Sequence, residues 1–123
     1  GSVYFEKYPD DKIEWLDLTL GCRESKITLQ EMIHAFGTPR YAWAERNSAG
    51  CTAELLVIEK GMIISTYGTG FLVFKKLKPT SVVIRVSMSP PLDGLEKVVE
   101  SMPYLADTDI REWQGYDDDP CNW

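Results

Sequence analysis

Long apolar runs are missing from this chain: nowhere do the roughly twenty consecutive apolar residues of a membrane-crossing helix occur. Basic charge is in short supply, with thirteen Lys and Arg against nineteen Asp and Glu and a formal charge of −6. Nucleic acid binding draws much of its free energy from basic side chains that displace counterions, so no nucleic acid partner is expected. No internal repeat and no dividing linker occurs. What is present is ordinary for one globular domain: 44% hydrophobic and 26% charged residues over 123 positions, too hydrophobic for a mainly disordered chain.

Histidine is scarcer still, since His34 is the single one. A nucleophilic enzyme needs a thiol or hydroxyl beside a base, and His34 is the whole histidine supply. It stands on the polar side of an expected helix and reads as a surface residue. The cysteines number three, Cys22, Cys51 and Cys121, and no two have the two-to-four-residue spacing of a zinc knuckle. At most one disulfide can form among them. If one does, Cys22 with Cys51 is the pairing expected, because Cys121 falls in an expected mobile tail; three unpaired thiols are the alternative. Asp107-Thr108-Asp109 with Glu112, and Asp117 to Asp119, offer carboxylates without the glycine turn and distal glutamate of a calcium loop. Gly68-Thr69-Gly70 lacks the third glycine and following helix of a phosphate cradle and reads as a hairpin turn. No metal and no cofactor are expected.

Along the chain, Val3 to Tyr8 reads as an arm or an edge strand closed by the turn Pro9-Asp10-Asp11. Ile13 to Leu20 alternates as a half-buried strand does, with Leu16, Leu18 and Leu20 toward the core and Asp17 on the other side. Thr28-Leu29-Gln30-Glu31 is a capping box, so a helix starts there. Leu29, Met32, Ile33 and Phe36 form one apolar stripe, and Gly37 and Pro39 end the helix.

Strands follow at Arg40 to Glu45, Thr52 to Glu59 and Met62 to Tyr67, the last two joined through Lys60-Gly61 as an antiparallel hairpin. Phe71 to Phe74 continues the sheet. Ser81 to Met88 alternates, which predicts Val82, Ile84, Val86 and Met88 inward and Arg85 and Ser87 facing water. After Pro90-Pro91, Leu95, Val98, Val99 and Met102 mark one side of a second short helix that Pro103 stops.

Aromatic residues are the most suggestive surface candidates. Tyr41 lies near Trp43 on an expected strand and Trp113 near Tyr116 close to the end; exposed, such residues favour protein recognition, and buried they are core.

The string Leu20-Gly21, Ile27 to Ile33 and Phe36-Gly37-Thr38-Pro39 resembles the opening of small bacterial lipoprotein domains of the BamE (SmpA) type. In those, a glycine-led segment enters a short helix before a meander of strands. Trp113-Gln114-Gly115-Tyr116 resembles the ending of other bacterial extracytoplasmic lipoproteins. The order of elements matches over about residues 20 to 88 and the motif over 27 to 39. One departure is plain: the BamE family has a second helix directly after the first, where this chain has Pro39 and a strand. The resemblance implies display outside the cytoplasm, in the periplasm or at the cell surface. Contact with a membrane would then come only through a lipid anchor that has been removed. Gly1-Ser2-Val3 itself has neither the basic start nor the apolar stretch of an export signal.

The expected fold is α+β: an antiparallel sheet of four or five strands, the helix at 28–36 on one face and the helix near 94–102 at an edge. Residues 1–10 form an N-terminal arm, 11–116 a single domain and 117–123 an acidic C-terminal tail. The expected function is non-enzymatic protein interaction, with Tyr41, Trp43, Trp113 and Tyr116 as contacts for an unidentified protein partner. The alternative is a small-ligand binder with a pocket between helix and sheet lined by Phe36, Tyr67 and Trp43. A hydrolase using His34 ranks last.

Overall fold

Thr28 caps the first helix as its hydroxyl dictates. The computed structural model describes residues 2–7, 14–20, 26–47, 50–69, 76–91 and 93–123. In it Thr28 Oγ1 accepts from the Glu31 amide at 3.2 Å, and Glu31 Oε1 accepts from the Thr28 amide at 3.2 Å. Two amides that the helix start leaves without intrahelical partners are thereby satisfied. Helix α1 (Leu29–Phe36) ends where Gly37, at φ +115°, donates to the Ile33 carbonyl at 2.9 Å. Leu29 and Met32 are buried and Ile33 packs beside them, while Phe36 at the end of the stripe stays exposed.

The strands are β1 (Ser2–Lys7), β2 (Glu14–Thr19), β3 (Tyr41–Asn47), β4 (Gly50–Val57), β5 (Met62–Thr69), β6 (Val83–Met88) and β7 (Arg111–Glu112). They form one sheet in the order β1-β2-β6-β5-β4-β3-β7, and every pairing is antiparallel. The α+β class is as expected. The sheet is wider than the four or five strands expected: residues 2–7 pair along β2 as an edge strand, one of the two readings of Val3 to Tyr8, and the two-residue β7 adds to the other edge. The β4–β5 hairpin forms with Val57 opposite Met62 across a 3₁₀ turn at Ile58–Lys60. Strand β5 runs through Gly68 and Thr69, which pair with Cys51 and Gly50 and so do not turn. Cys22, the turn at Pro9-Asp10-Asp11 and the strand expected over Phe71–Phe74 lie outside the described residues.

A bulge in β6 corrects the expected alternation. Thr66 pairs with Val83 and Ser65 with Arg85, so Ile84 has no opposite number. An extra residue reverses the in-out sense of everything before it, because side chains alternate with period two. Val83 and Val86 therefore share one buried face, although an odd number of positions separates them. Ser87 is 3% exposed and Arg85 only about one-third exposed, where both were expected in water; the opposite face of the sheet is covered too.

Both faces carry a core. On one, α1 covers Ala42, Ala53, Leu55, Ile64, Val83 and Val86, with Leu77, Trp113 and Trp123 closing the layer. On the other, Trp43, Leu56 and Ile63 pack against Val98 of α2 (Leu95–Ser101) and Met102 and Leu105 beyond it. Helix α2 thus lies over the second face and not at an edge, because its apolar stripe meets apolar residues of the three central-to-outer strands β3, β4 and β5.

The acidic C-terminal segment is not a free tail. Leu77 and the Asp117-Asp118 backbone exchange hydrogen bonds of 2.8 and 2.7 Å, and Pro120 is buried. Cys121 is bonded to Cys51, not Cys22 to Cys51 as the expected pairing had it, with 6.1 Å between the Cα atoms. Packing of the segment beside β3 and β4 brings the two sulfurs together, which sequence separation alone does not disclose.

Candidate functional site

On the α2 side of the sheet the apolar layer stops short and charge takes its place. Register sets the arrangement. Glu54 of β4 stands opposite Ser65 of β5, Ser65 opposite Arg85 of β6, and Asp17 of β2 opposite Ser87 of β6. Glu45, two residues beyond Trp43 on β3, points to the same side. Apart from Ser65, these side chains wall a cavity of about 160 Å³ whose remaining lining is Ile63, Met102 and Tyr104.

Arg85 holds the cluster together. Its Nη2 donates to Glu54 Oε1 at 3.1 Å and to Glu45 Oε2 at 3.2 Å, and its Nε donates to Ser65 Oγ at 3.4 Å. Burial disfavours the guanidinium charge, but Glu54 first, then Glu45 and Asp17, outweigh it and raise the Arg85 pKa, so the cation persists at every accessible pH. Glu54 is 1% exposed and its carboxyl is pushed up from 4.5 to about 8. Burial is the main cause and a hydrogen bond with Glu45 the second, both opposed by Arg85 and Ser65. At neutral pH the Glu54 carboxyl is thus held in its protonated form. Two buried oxygens of this cluster have no hydrogen-bond partner, Asp17 Oδ1 and Glu54 Oε2.

The expected aromatic contacts divide between the two faces. Trp43 is wholly buried in the α2-side core and cannot touch a partner, which removes it as a contact residue; the helix over that face takes up its surface. Tyr41 packs partly buried at the margin of the same core. Trp113 packs against the α1-side core, and Tyr116, 36% exposed, meets it edge-on at 5.7 Å between ring centres. Beside Trp113 an open groove of about 410 Å³ is lined by Thr38, Pro39, Arg40, Glu59 and Glu112. The pocket expected from Phe36, Tyr67 and Trp43 does not form as such, since Phe36 belongs to α1 while Trp43 faces α2; the Tyr67 side chain lies outside the description.

His34 is exposed on α1, and Cys51 and Cys121, joined as a disulfide, offer no thiol to it. Asp109 spends its carboxylate on Arg111 at 2.9 and 3.2 Å. Among the described residues no three His, Cys, Asp or Glu groups converge as a metal set, and no helix is long and apolar enough to cross a membrane.

Sequence reasoning passed over the charge cluster. A signal was there: Glu54 interrupts Ala53 to Ile58, and Arg85 interrupts Val82 to Val86, two charges inside otherwise apolar strands. A charge so placed must find a partner across the sheet or face water. Comparison with known protein families, curated proteins and solved structures finds no match.

Proposed function

We propose that this chain is a non-enzymatic protein-binding domain of an extracytoplasmic protein, recognising its partner through the groove beside Trp113 and Tyr116. The observation that carries the reading is the Cys51–Cys121 disulfide. Such a bond persists in oxidising compartments and is rare where glutathione keeps thiols reduced. It also fixes the C-terminal segment, so that the aromatic pair and its groove are held in place before any partner arrives. Preorganisation of this kind lowers the ordering cost of association, and aromatic side chains with a neighbouring arginine are the usual anchors of binding free energy. Here the arginine is Arg40, whose carbonyl accepts from the Trp113 amide at 2.9 Å.

A photo-crosslinking residue at Tyr116 or Glu112, in protein exported to an oxidising compartment, tests the reading. The same discrete adduct is expected from both positions, with none from Lys97 on α2, and its yield should fall in an Arg40→Glu background. Equal labelling from all three positions, or none from any, overturns it.

A further inference from the structure

Residues 116–123 lie on the domain with few ties to it. The Leu77 carbonyl accepts from the Asp117 amide at 2.8 Å, and the Leu77 amide donates to the Asp118 carbonyl at 2.7 Å. Pro120 is buried, Trp123 packs against the α1-side core with the Arg111 guanidinium 4.6 Å from its ring centre, and Arg46 Nη2 donates to the Cys121 carbonyl at 2.8 Å. The Cys51–Cys121 bond is the covalent tie. Ordering each residue of a chain end costs about as much as one or two hydrogen bonds return, so the segment depends on that bond to stay in place.

The backbone entering the segment is built to let go. Asp117 stands at φ +86°, a left-handed conformation in which non-glycine residues are uncommon, and release relieves it. Gly115, at φ +119°, has nothing within 4 Å of the place a Cβ would take, so the chain can swing there without collision. Tyr116 comes next, and a swing at Gly115 carries it off Trp113, which it meets edge-on at 5.7 Å between ring centres. Trp113 stays behind, because its amide is bonded to the Arg40 carbonyl at 2.9 Å.

The sulfurs are within reach of a reductant. Cys51 and Cys121 are both half-buried, and Arg46, opposite Cys51 in the β3–β4 register, sets a positive charge beside them. A cation so placed favours the thiolate that leaves when a disulfide is attacked. We infer that Cys51–Cys121 is a reducible latch: opened by a dithiol reductant of the C-x-x-C class, it frees residues 116–123 to swing at Gly115 and takes Tyr116 out of the groove. A thiolate of the reductant attacks Cys121 Sγ, and Cys51 leaves as a thiolate that takes up a proton. The reductant's second thiol, deprotonated, then displaces Cys121, so that the dithiol ends as a disulfide and the protein holds two thiols. The consequence for recognition rests on partner binding through that groove; the latch itself does not.

The latch is tested on the full chain carrying Cys22→Ser, so that no third thiol exchanges with the bond, with dithiothreitol as the probe. Alkylation of freed thiols gives the rate, and amide NMR gives the structure. The rate should rise in proportion to dithiothreitol concentration, as for attack on the folded protein. In the reduced protein Leu55 and Ile64 should keep their native resonances while Tyr116, Asp118 and Trp123 move to those of unstructured chain. A rate that levels off at the unfolding rate of the whole chain, or a Trp123 amide that stays native after reduction, overturns the latch. Cys51→Ser combined with Cys121→Ser should show the released spectrum without reductant, and the dithiothreitol arm decides should that variant not fold.

Recognition is read separately, from a photo-crosslinking residue at Glu112, ahead of the hinge, in bridged protein and in the double serine variant. Adduct yield should fall about tenfold or more once the segment is free, a loss on the scale of one aromatic anchor. Equal yield from both overturns the control of the groove by the latch. No adduct from the bridged protein overturns the groove as the recognition site and not the latch, which the rate and the resonances decide by themselves.

Discussion

Arg85 Nη2 lies 3.1 Å from Glu54 Oε1, with Ser65 of the intervening strand between their backbones. Glu54 is buried and Arg85 about one-third exposed, so the arginine stands between a carboxyl in the sheet's interior and the solvent. Arg85→Met removes the charge-assisted hydrogen bond to Glu54 and leaves Oε1 buried without its donor, a loss of about 1.5 to 3 kcal/mol for a bond of this kind. Arg85→Met should therefore destabilise by about 2 kcal/mol. Glu54→Leu in that background should restore part of the loss, since it removes the buried carboxyl that lacks a donor. Urea denaturation of the two single variants and the double variant measures the coupling.

The raised pKa of Glu54 has a definite sign in stability. Folded, the carboxyl keeps its proton to about pH 8; unfolded, it loses it near 4.5. Between those values the folded state binds more protons than the unfolded one, so stability falls as pH rises from about 4.5 and levels off above about 8. Arg85 contributes no slope there, because its pKa is raised from a value already above the range. Glu54→Gln should flatten this part of the profile while other carboxylates keep theirs. Chemical denaturation at pH 5, 6.5 and 8 resolves the difference, and an unchanged slope in the variant would show that Glu54 ionises normally.

The disulfide closes a loop spanning 70 positions. On chain entropy alone a loop of that length is worth about 4 kcal/mol, and native bridges usually deliver 2 to 4. Cys51→Ser, Cys121→Ser and the double variant should all lose a similar amount, because each abolishes the same bond. Hydrogen exchange adds a local readout: the Leu77 amide, bonded to the Asp118 carbonyl at 2.7 Å, should lose protection in the variants more than the Ile64 amide in the central strands. Equal loss at both would mean that the bridge stabilises only the whole fold.

Legibility in the sequence followed locality. Thr28 and Glu31 are three residues apart and interact within one turn, so the helix start could be read directly. The β4–β5 hairpin was legible for a similar reason, as its strands meet across a short link. The bulge at Ile84 was not, because an alternating apolar pattern looks the same whether or not one residue is skipped. Trp43 and Tyr41 share a face, and whether that face is covered depends on where α2 docks, half a chain away. The Cys51–Cys121 pair depends on the path of the C-terminal segment in the same way. For the charge cluster, Glu54 and Arg85 were visible as interruptions, but their common cavity exists only once β4, β5, β6 and β2 are in register.

Gly61 gives a sharp local test of the hairpin. It follows the 3₁₀ turn at φ +60°, a left-handed conformation that side chains disfavour, and its amide donates to the Ile58 carbonyl at 3.1 Å. A Cβ added there would press into the Ser89 carbonyl oxygen and lie 2.8 Å from that of Pro90. Both are backbone atoms and cannot swing aside as a flexible side chain would. They are also held in place, because the Ser89 amide donates to the Gly61 carbonyl at 2.8 Å. Conformation alone costs an alanine about 1 to 2 kcal/mol in the left-handed region, and displacement of the Ser89-Pro90 backbone adds to it. Gly61→Ala should therefore destabilise by more than about 2 kcal/mol, with the disturbance centred on Met62 and Met88, which pair at that end of the sheet. Gly115, also at positive φ but with nothing near its added Cβ, is the control: its alanine variant should cost only the conformational part. Thermal melts of the two variants side by side separate close approach from backbone conformation, and equal losses would show that the Ser89-Pro90 backbone yields freely.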